Sequence, residues 1–274
     1  MTIREAIKVY EGVAAAQSAH SWKTWCKQFD QRWGDRLVSS IGLPEINGLI
    51  AERRKEKKSD HTIRSQLNTL RALFKVARKS GAPGVAWPEE DIARLKLRPR
   101  LRTYQGDELQ RIKATVRPMD FEIIELAFST GLRKSELWAL RRREVDLKSK
   151  LIRVVGKGGK LRFVPIGPTA MRVLKMMLKR PGGPYVVNPI GHDRYSRKSS
   201  VAIFMRTVWR PALLMCGIEG LVWHSNRHEF ASRMARAGKS TQAIQQCGGW
   251  SNINQVLIYA HLNNAALHDA VSCI

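Results

Sequence analysis

The sequence predicts a mainly α-helical protein with one small β-hairpin or sheet, divided into two domains. Three observations carry this. Apolar residues recur at three- and four-residue spacing through residues 1 to about 80 and again in several later stretches. One stretch alone, Leu151 to Ile166, reads as a strand pair about a glycine-rich turn. Between the halves lies a basic, aperiodic connector, K-L-R-P-R-L-R-T, preceded by Ser80-Gly81-Ala82-Pro83-Gly84 and Pro88. It sets the boundary between a domain of residues 1–98 and one of residues 99–274.

In order, Trp22, Trp25, Cys26, Phe29 and Trp33 repeat at helical spacing and read as a core face. Pro44 opens a second helix with Ile46, Leu49 and Ile50 on one side. That helix runs into Arg53, Arg54, Lys55, Lys57 and Lys58. Ser59 or Asp60 then caps a helix whose apolar stripe is Ile63, Leu67, Leu70, Phe74 and Ala77. Arg64, Arg71, Lys75 and Arg78 repeat beside that stripe, as a helix lying along phosphates requires.

In the second domain, helices are expected at Glu108 to Ile112 and at Phe121 to Phe128. Gly131 ends the latter, Thr130 or Ser135 caps the next, and Arg133 is held at the junction with Glu136 three residues on. Lys157 and Lys160 sit at or beside the tip of the hairpin turn G-K-G-G-K, which lacks the spacing of an ATP-binding phosphate loop. Two amphipathic helices follow, over 168–180 and 199–216, with a short strand between Tyr185 and Gly191. His224 and Arg227 are three apart, on one face of a helix. Gly248-Gly249 breaks the chain before Trp250, and Ser251 caps a segment carrying Ile253, Val256, Leu257 and Tyr259.

Charge narrows the function. Lys and Arg number 48 against 23 Asp and Glu, a net +25, and a polyanionic partner follows. No apolar run approaches the ~20 residues that span a bilayer, so that partner is nucleic acid and not membrane. The start M-T-I-R-E-A-I-K is an amphipathic helix and not a signal peptide. Cys26, Cys216, Cys247 and Cys273 have no C-x-x-C spacing and read as reduced thiols in a cytosolic protein, without zinc or disulfides.

Arg133, Lys157, His224, Arg227, Trp250 and Tyr259 together form the parts list for cleaving a phosphodiester without metal. A tyrosine oxygen is the nucleophile, with a free pKa of ~10 that demands help in losing its proton. Two arginine forks hold the phosphate and gain value as charge develops in the transition state. Lysine and histidine transfer protons.

These residues stand in motifs that resemble the tyrosine recombinases, the phage-integrase family. T-G-L-R-K-S-E-L-W-A-L resembles the first arginine box, V-V-G-K-G-G-K-L-R-F-V-P-I the lysine hairpin, H-S-N-R-H-E-F-A the H-x-x-R box, and G-G-W-S-N-I-N-Q-V-L-I-Y-A-H-L the nucleophile box. The resemblance spans roughly residues 103 to 265, in the family's order. It implies a two-domain tyrosine-recombinase architecture: a helical core-binding domain and a mixed α/β catalytic domain. It implies Tyr259 as a nucleophile forming a 3′-phosphotyrosine, Arg133 and Arg227 on the scissile phosphate, Lys157 as acid for the 5′ oxygen and His224 in proton transfer. Trp250 stands where many members have a second histidine. Arg53, Arg54, Lys57, Arg64, Arg71, Lys75, Arg78 and Lys160 are the residues expected along DNA.

The resemblance further implies a site-specific recombinase, an integrase of a phage or other mobile element, needing neither metal nor cofactor. Its partner is double-stranded DNA carrying attachment sites, in the cytoplasm of a bacterial host at the nucleoid. It assembles as a tetramer on DNA, with the tail Leu262 to Val271 docking on a neighbour, and a directionality factor or DNA-bending protein is a possible accessory. Two departures stand out. Many phage integrases carry an arm-binding domain ahead of the core-binding domain, whereas this chain starts directly at the latter. Asn226 occupies a position normally aliphatic, and a buried unpaired amide there would cost about 1–3 kcal/mol. It therefore has a polar partner, or activity is reduced. A DNA-binding protein with little catalysis is the rival reading that Asn226 favours.

Overall fold

The computed structural model describes residues 1–14, 21–89, 92–96, 101–156, 159–187 and 197–262. The chain forms two compact units, Met1–Arg98 and Pro99–Ile274.

The first unit is built on four helices, α1 (Ile3–Ala14), α2 (Ser21–Trp33), α3 (Leu43–Lys55) and α4 (Asp60–Lys79). The other three all pack on α4. Its length and periodicity explain this: Ile63, Leu67, Leu70, Leu73, Phe74 and Ala77 are buried at 3–4-residue spacing and meet Ile3, Trp22, Phe29, Ile46 and Leu49. Ser59 is its cap, the hydroxyl accepting from the Thr62 N–H at 3.3 Å. Trp25, expected on the core face, is only half-buried and directs its indole N–H to the Ser65 hydroxyl at 3.4 Å.

The second unit has α6 (Pro118–Thr130) at its centre. This helix is apolar on nearly every side and lies against α8 (Pro168–Lys179) and α11 (Ser225–Arg236). The helix α5 (Glu108–Thr115) precedes it, and α7 (Lys134–Ala139) follows Gly131. An antiparallel sheet of order β1-β2-β3 is formed by Val145–Asp146, Leu151–Val155 and Leu161–Pro165. Register pairs Ile152 with Val164 on the core side and Val155 with Leu161 on the exposed side. The two-residue strand β1 was not expected, since so short a strand shows no alternation to read. The expected strand near Tyr185 is reduced, among described residues, to one bridge between Tyr185 and Arg141.

The helix expected over 199–216 is in three parts: α9 (Arg197–Phe204), a π turn over Met205–Trp209, and α10 (Arg210–Met215). The widened turn comes just before Pro211, which has no N–H to donate and whose ring would collide with the carbonyl four residues back. After α11, α12 (Thr241–Gly248) and α13 (Asn254–Leu257) close a separate small core of Ala231, Ala235, Ile244, Val256 and Tyr259. Leu257, expected in this apolar stripe, is 49% exposed, because the short α13 buries only Val256. Among the described residues, no helix is long and apolar enough to cross a membrane.

Candidate active site

The two arginines singled out in the sequence converge on one glycine turn. At the end of α6, Gly131 adopts a left-handed conformation (φ 64°), and the chain re-enters a helix at Arg133. Neither Thr130 nor Ser135 caps α7. Thr130 donates back to the Leu126 carbonyl, and the Glu136 carboxylate accepts from the Arg133 backbone N–H at 2.8 Å. The Arg133 side chain then donates to Glu136 Oε1 at 2.8 Å and to the Gly249 carbonyl at 3.0 Å.

Arg227, on the first turn of α11, is 2% exposed. Its Nη1 donates to the carbonyls of Gly131 (2.6 Å) and Gly248 (2.7 Å). Its Nη2 is buried and finds no partner among the described residues. The Trp250 ring lies 3.8 Å from this guanidinium, a stacked cation–π contact. Burial and the charge of Arg133 push the Arg227 pKa down to about 9, which leaves it cationic at neutral pH.

The turn needs glycine at both places. A Cβ on Gly248 would lie 1.8 Å from the Trp250 ring. Gly249 has φ 67°, and a Cβ there would lie 2.4 Å from the Arg162 side chain. The neighbouring carbonyls of this turn thus face the two arginine forks, and Trp250 follows directly.

Arg162 was not singled out from sequence. It comes from β3 and makes a bidentate pair with Glu136, both bonds 2.8 Å. Burial would raise the Glu136 pKa, but the hydrogen bonds from Arg162 and Arg133 outweigh it and hold the carboxyl at about 2. One carboxylate therefore fixes two guanidiniums, and the cluster of Arg133, Arg162 and Arg227 keeps an excess of positive charge. Alternation along β3 puts Arg162 on the same face as buried Val164, but its partner lies 26 positions away.

Tyr259 is 1% exposed, and burial pushes its pKa up to about 12. Its ring is 6.2 Å from that of Trp250. Its hydroxyl bonds to His228 Nδ1 at 2.5 Å. The histidine touching the phenol is thus His228, which sequence reasoning passed over in favour of His224. His224 stands four residues earlier, as the cap of α11, with its ring 4.9 Å from His228 and edge-on to it. Desolvation, Arg227 and Arg133 lower the His224 pKa. Ser251 does not cap α13; the Asn252 side chain accepts from the Asn254 N–H instead.

Asn226 is buried, and its amide is satisfied at both ends. It donates to the Trp223 carbonyl (3.0 Å) and accepts from the Tyr104 hydroxyl (2.6 Å). The polar partner that the sequence demanded is present, and the feature that favoured a non-catalytic reading is accounted for.

Lys157 and the tail from residue 263 lie outside the described residues. Lys160 is exposed beside the hairpin turn. In the first unit, Arg64, Lys75 and Arg78 are exposed along α4. Arg71 shares that face but pairs with Glu89. Lys57 is exposed too, in a left-handed turn (φ 56°). Arg53 is turned inward onto Gln28, Gln66 and Glu56, and Arg54 bonds to the Arg94 carbonyl at 2.9 Å.

Comparison with known proteins joins these residues to a family. The sequence pattern of the Phage integrase family matches residues 102–266. The chain belongs to the phage integrase family. Tyrosine recombinase XerC of Haemophilus influenzae (strain PittEE) is 30% identical over 262 residues, covering 92% of this chain and 82% of that protein. The XerC of Thermodesulfovibrio yellowstonii is 30% identical over 233 residues, covering 80% and 77%. The fold is also that of solved integrases. The Tn1549 transposon integrase in complex with transposon right end DNA matches with TM-score 0.76 and 18% identity, over 99% of this chain and 100% of that one. A lambda integrase dimer bound to a COC′ core site matches with TM-score 0.72 and 18% identity, over 93% and 97%. This phage-integrase family member is a tyrosine recombinase, of the class that cuts and rejoins DNA at specific sites.

Proposed function

We propose that this recombinase breaks one DNA strand by attack of Tyr259 Oη on a phosphorus atom, forming a 3′-phosphotyrosine and freeing a 5′ hydroxyl. The observation that carries the reading is the buried Nη2 of Arg227, without a partner among the described residues, beside a second anchored guanidinium and the tyrosine. A buried donor left open costs free energy that a bound phosphate oxygen would recover. Arg133 and Arg227 take the two non-bridging oxygens. Their carbonyl and carboxylate anchors hold them in place before the reaction, so little reorganisation is needed as charge develops. Lys157 protonates the 5′ oxygen, and His224 helps move protons. Charge on the phosphate is met by guanidiniums, so the reading needs no metal, and the phosphotyrosine conserves the bond energy for rejoining.

The exposed cations of α4 hold the DNA backbone from the first unit. We further propose assembly as a tetramer on two duplexes, through the C-terminal tail, in a bacterial cytoplasm. The biological setting we propose is a phage or other mobile element, supported by the wording of the motifs. The XerC relatives support a second setting, a chromosomal site; mapping the DNA recovered with the protein to an element's ends or elsewhere on the chromosome decides between them.

The chemical reading is tested on that recovered site carrying a nick that traps cleavage. A covalent protein–DNA band that forms in EDTA and is lost in Tyr259→Phe is expected. Salt-sensitive binding with no covalent band from the unaltered protein would overturn it.

A further inference from the structure

The contact between His228 and Tyr259 joins α11 to the segment that follows α13. His228, Ala231 and Ala235 lie on one face of α11, at i, i+3 and i+7. That face is covered by the C-terminal segment, where Tyr259 packs with Ala231, Ala235, Ile244 and Val256. The histidine and tyrosine rings are tilted 45° to one another with centroids 6.0 Å apart, which brings Nδ1 and Oη together at 2.5 Å. A phenol has a proton to donate, so the ring nitrogen facing it is the unprotonated one.

We infer that His228 is a catalytic proton acceptor in the reaction: its Nδ1 takes the phenol proton as Tyr259 Oη attacks, and returns it when the strands rejoin. The inference rests on Tyr259 being the nucleophile. In cleavage the Oη–P bond forms, the P–O5′ bond breaks, the phenol proton passes to Nδ1, and the 5′ oxygen takes a proton from the separate acid. In rejoining the 5′ hydroxyl attacks, the O5′–P bond forms as the hydroxyl proton returns to the separate acid, the P–Oη bond breaks, and the imidazolium restores the proton to Oη.

The phenol bonds to His228, and His224 makes no such bond among the described residues. Arg133 and Arg227 are cations, Trp250 has no acceptor, and the Glu136 carboxylate is held by Arg133 and Arg162. The ionisable groups facing His228 are His224 and Arg227 on its own helix and Tyr259 from the C-terminal segment. Burial, His224 and Arg227 push its pKa down to about 4, so the ring is neutral and able to accept at physiological pH. The phenol, held up to about 12 by burial, would be ionised in only about one molecule in 10⁵ at pH 7 without such help. A DNA phosphate lying between Arg133 and Arg227 offsets the positive charge that depresses His228. Substrate therefore raises the basicity of its own acceptor.

The test is single-turnover cleavage of the nicked DNA from pH 6 to 9 by the unaltered protein, His228→Ala, His228→Gln and Tyr259→Phe, with DNA binding measured in parallel. The glutamine variant keeps a hydrogen-bond acceptor but no base. Both His228 variants should bind DNA as the unaltered protein does and form the adduct at least ~10²-fold more slowly at pH 7. Their rates should then climb about tenfold per pH unit as hydroxide takes over, while the unaltered protein stays nearly flat. Wild-type rates in either variant, a faster rate, or a slowed rate with an unchanged pH profile would each overturn the inference while leaving Tyr259 as nucleophile. Failure of Tyr259→Phe to abolish the adduct would instead remove the reading beneath it.

Discussion

At the scale of residues, the site is held by a few polar contacts whose loss has a calculable sign. Tyr104 and Asn226 satisfy each other inside the second unit. Removing the hydroxyl in Tyr104→Phe leaves a buried amide oxygen without a donor, and unfolding stability should fall by about 1–3 kcal/mol in a denaturant titration. Adding Asn226→Leu, which removes the orphaned amide, should recover most of that loss. Glu136 sets a pH window. Its folded pKa of about 2 lies below the unfolded carboxylate range, so its contribution is present above about pH 4.3 and is lost as pH falls toward 2. Glu136→Gln should flatten the acid limb of a stability–pH curve in that window and slow strand cleavage, since Arg133 and Arg162 both lose their anchor. These contacts were only partly legible in the sequence. Arg133, Arg227 and Tyr259 stood in recognisable local patterns. His228, adjacent to Arg227, was readable only as the i+4 neighbour of His224; its partner lies 31 positions on. Arg162 and Tyr104 had no local signal for their partners, because each acts through a long-range bond.

At the scale of elements, two pieces of secondary structure bear on function in different ways. The turn after α12 places Trp250 and two carbonyls against the arginines. Gly249→Ala would force an L-residue into φ 67° and push against Arg162. A loss of about 1–2 kcal/mol is expected, with a larger effect on cleavage than on DNA binding, measured on the same preparation. The helix α4 presents Arg64, Lys75 and Arg78 to solvent. Arg64→Gln and Lys75→Gln should each weaken binding to any DNA sequence and reduce the slope of log affinity against log salt by about 1. Glu89→Gln, freeing Arg71, should act in the opposite direction. Unchanged slopes would place the phosphate contacts elsewhere. Both faces of α4 were legible because helical periodicity separates apolar from basic positions. The caps were less so: Ser59 was legible, but Ser251 lost to Asn252, since two adjacent polar residues offer equivalent acceptors and packing chooses between them.

At the scale of the whole molecule, a net charge of +25 pointed to a polyanion before any motif was read. The small sheet and the helical majority followed from one alternating stretch among many of period near 3.6. The irregular parts did not: the π turn before Pro211 and the two-residue strand β1 arise from local steric demands and from pairing across the fold. Family membership accounts for the order of the motifs along the chain, and the geometry accounts for why Arg133, Arg227 and Trp250 meet at one glycine turn. The central claim is that Tyr259 becomes joined to a DNA 3′ end. It is tested most directly by digesting the trapped covalent complex with protease and nuclease and sequencing the nucleotide-bearing peptide by mass spectrometry. A nucleotide linked through its 3′ phosphate to Tyr259 is predicted; attachment to any other residue, or through a 5′ phosphate, would contradict the account.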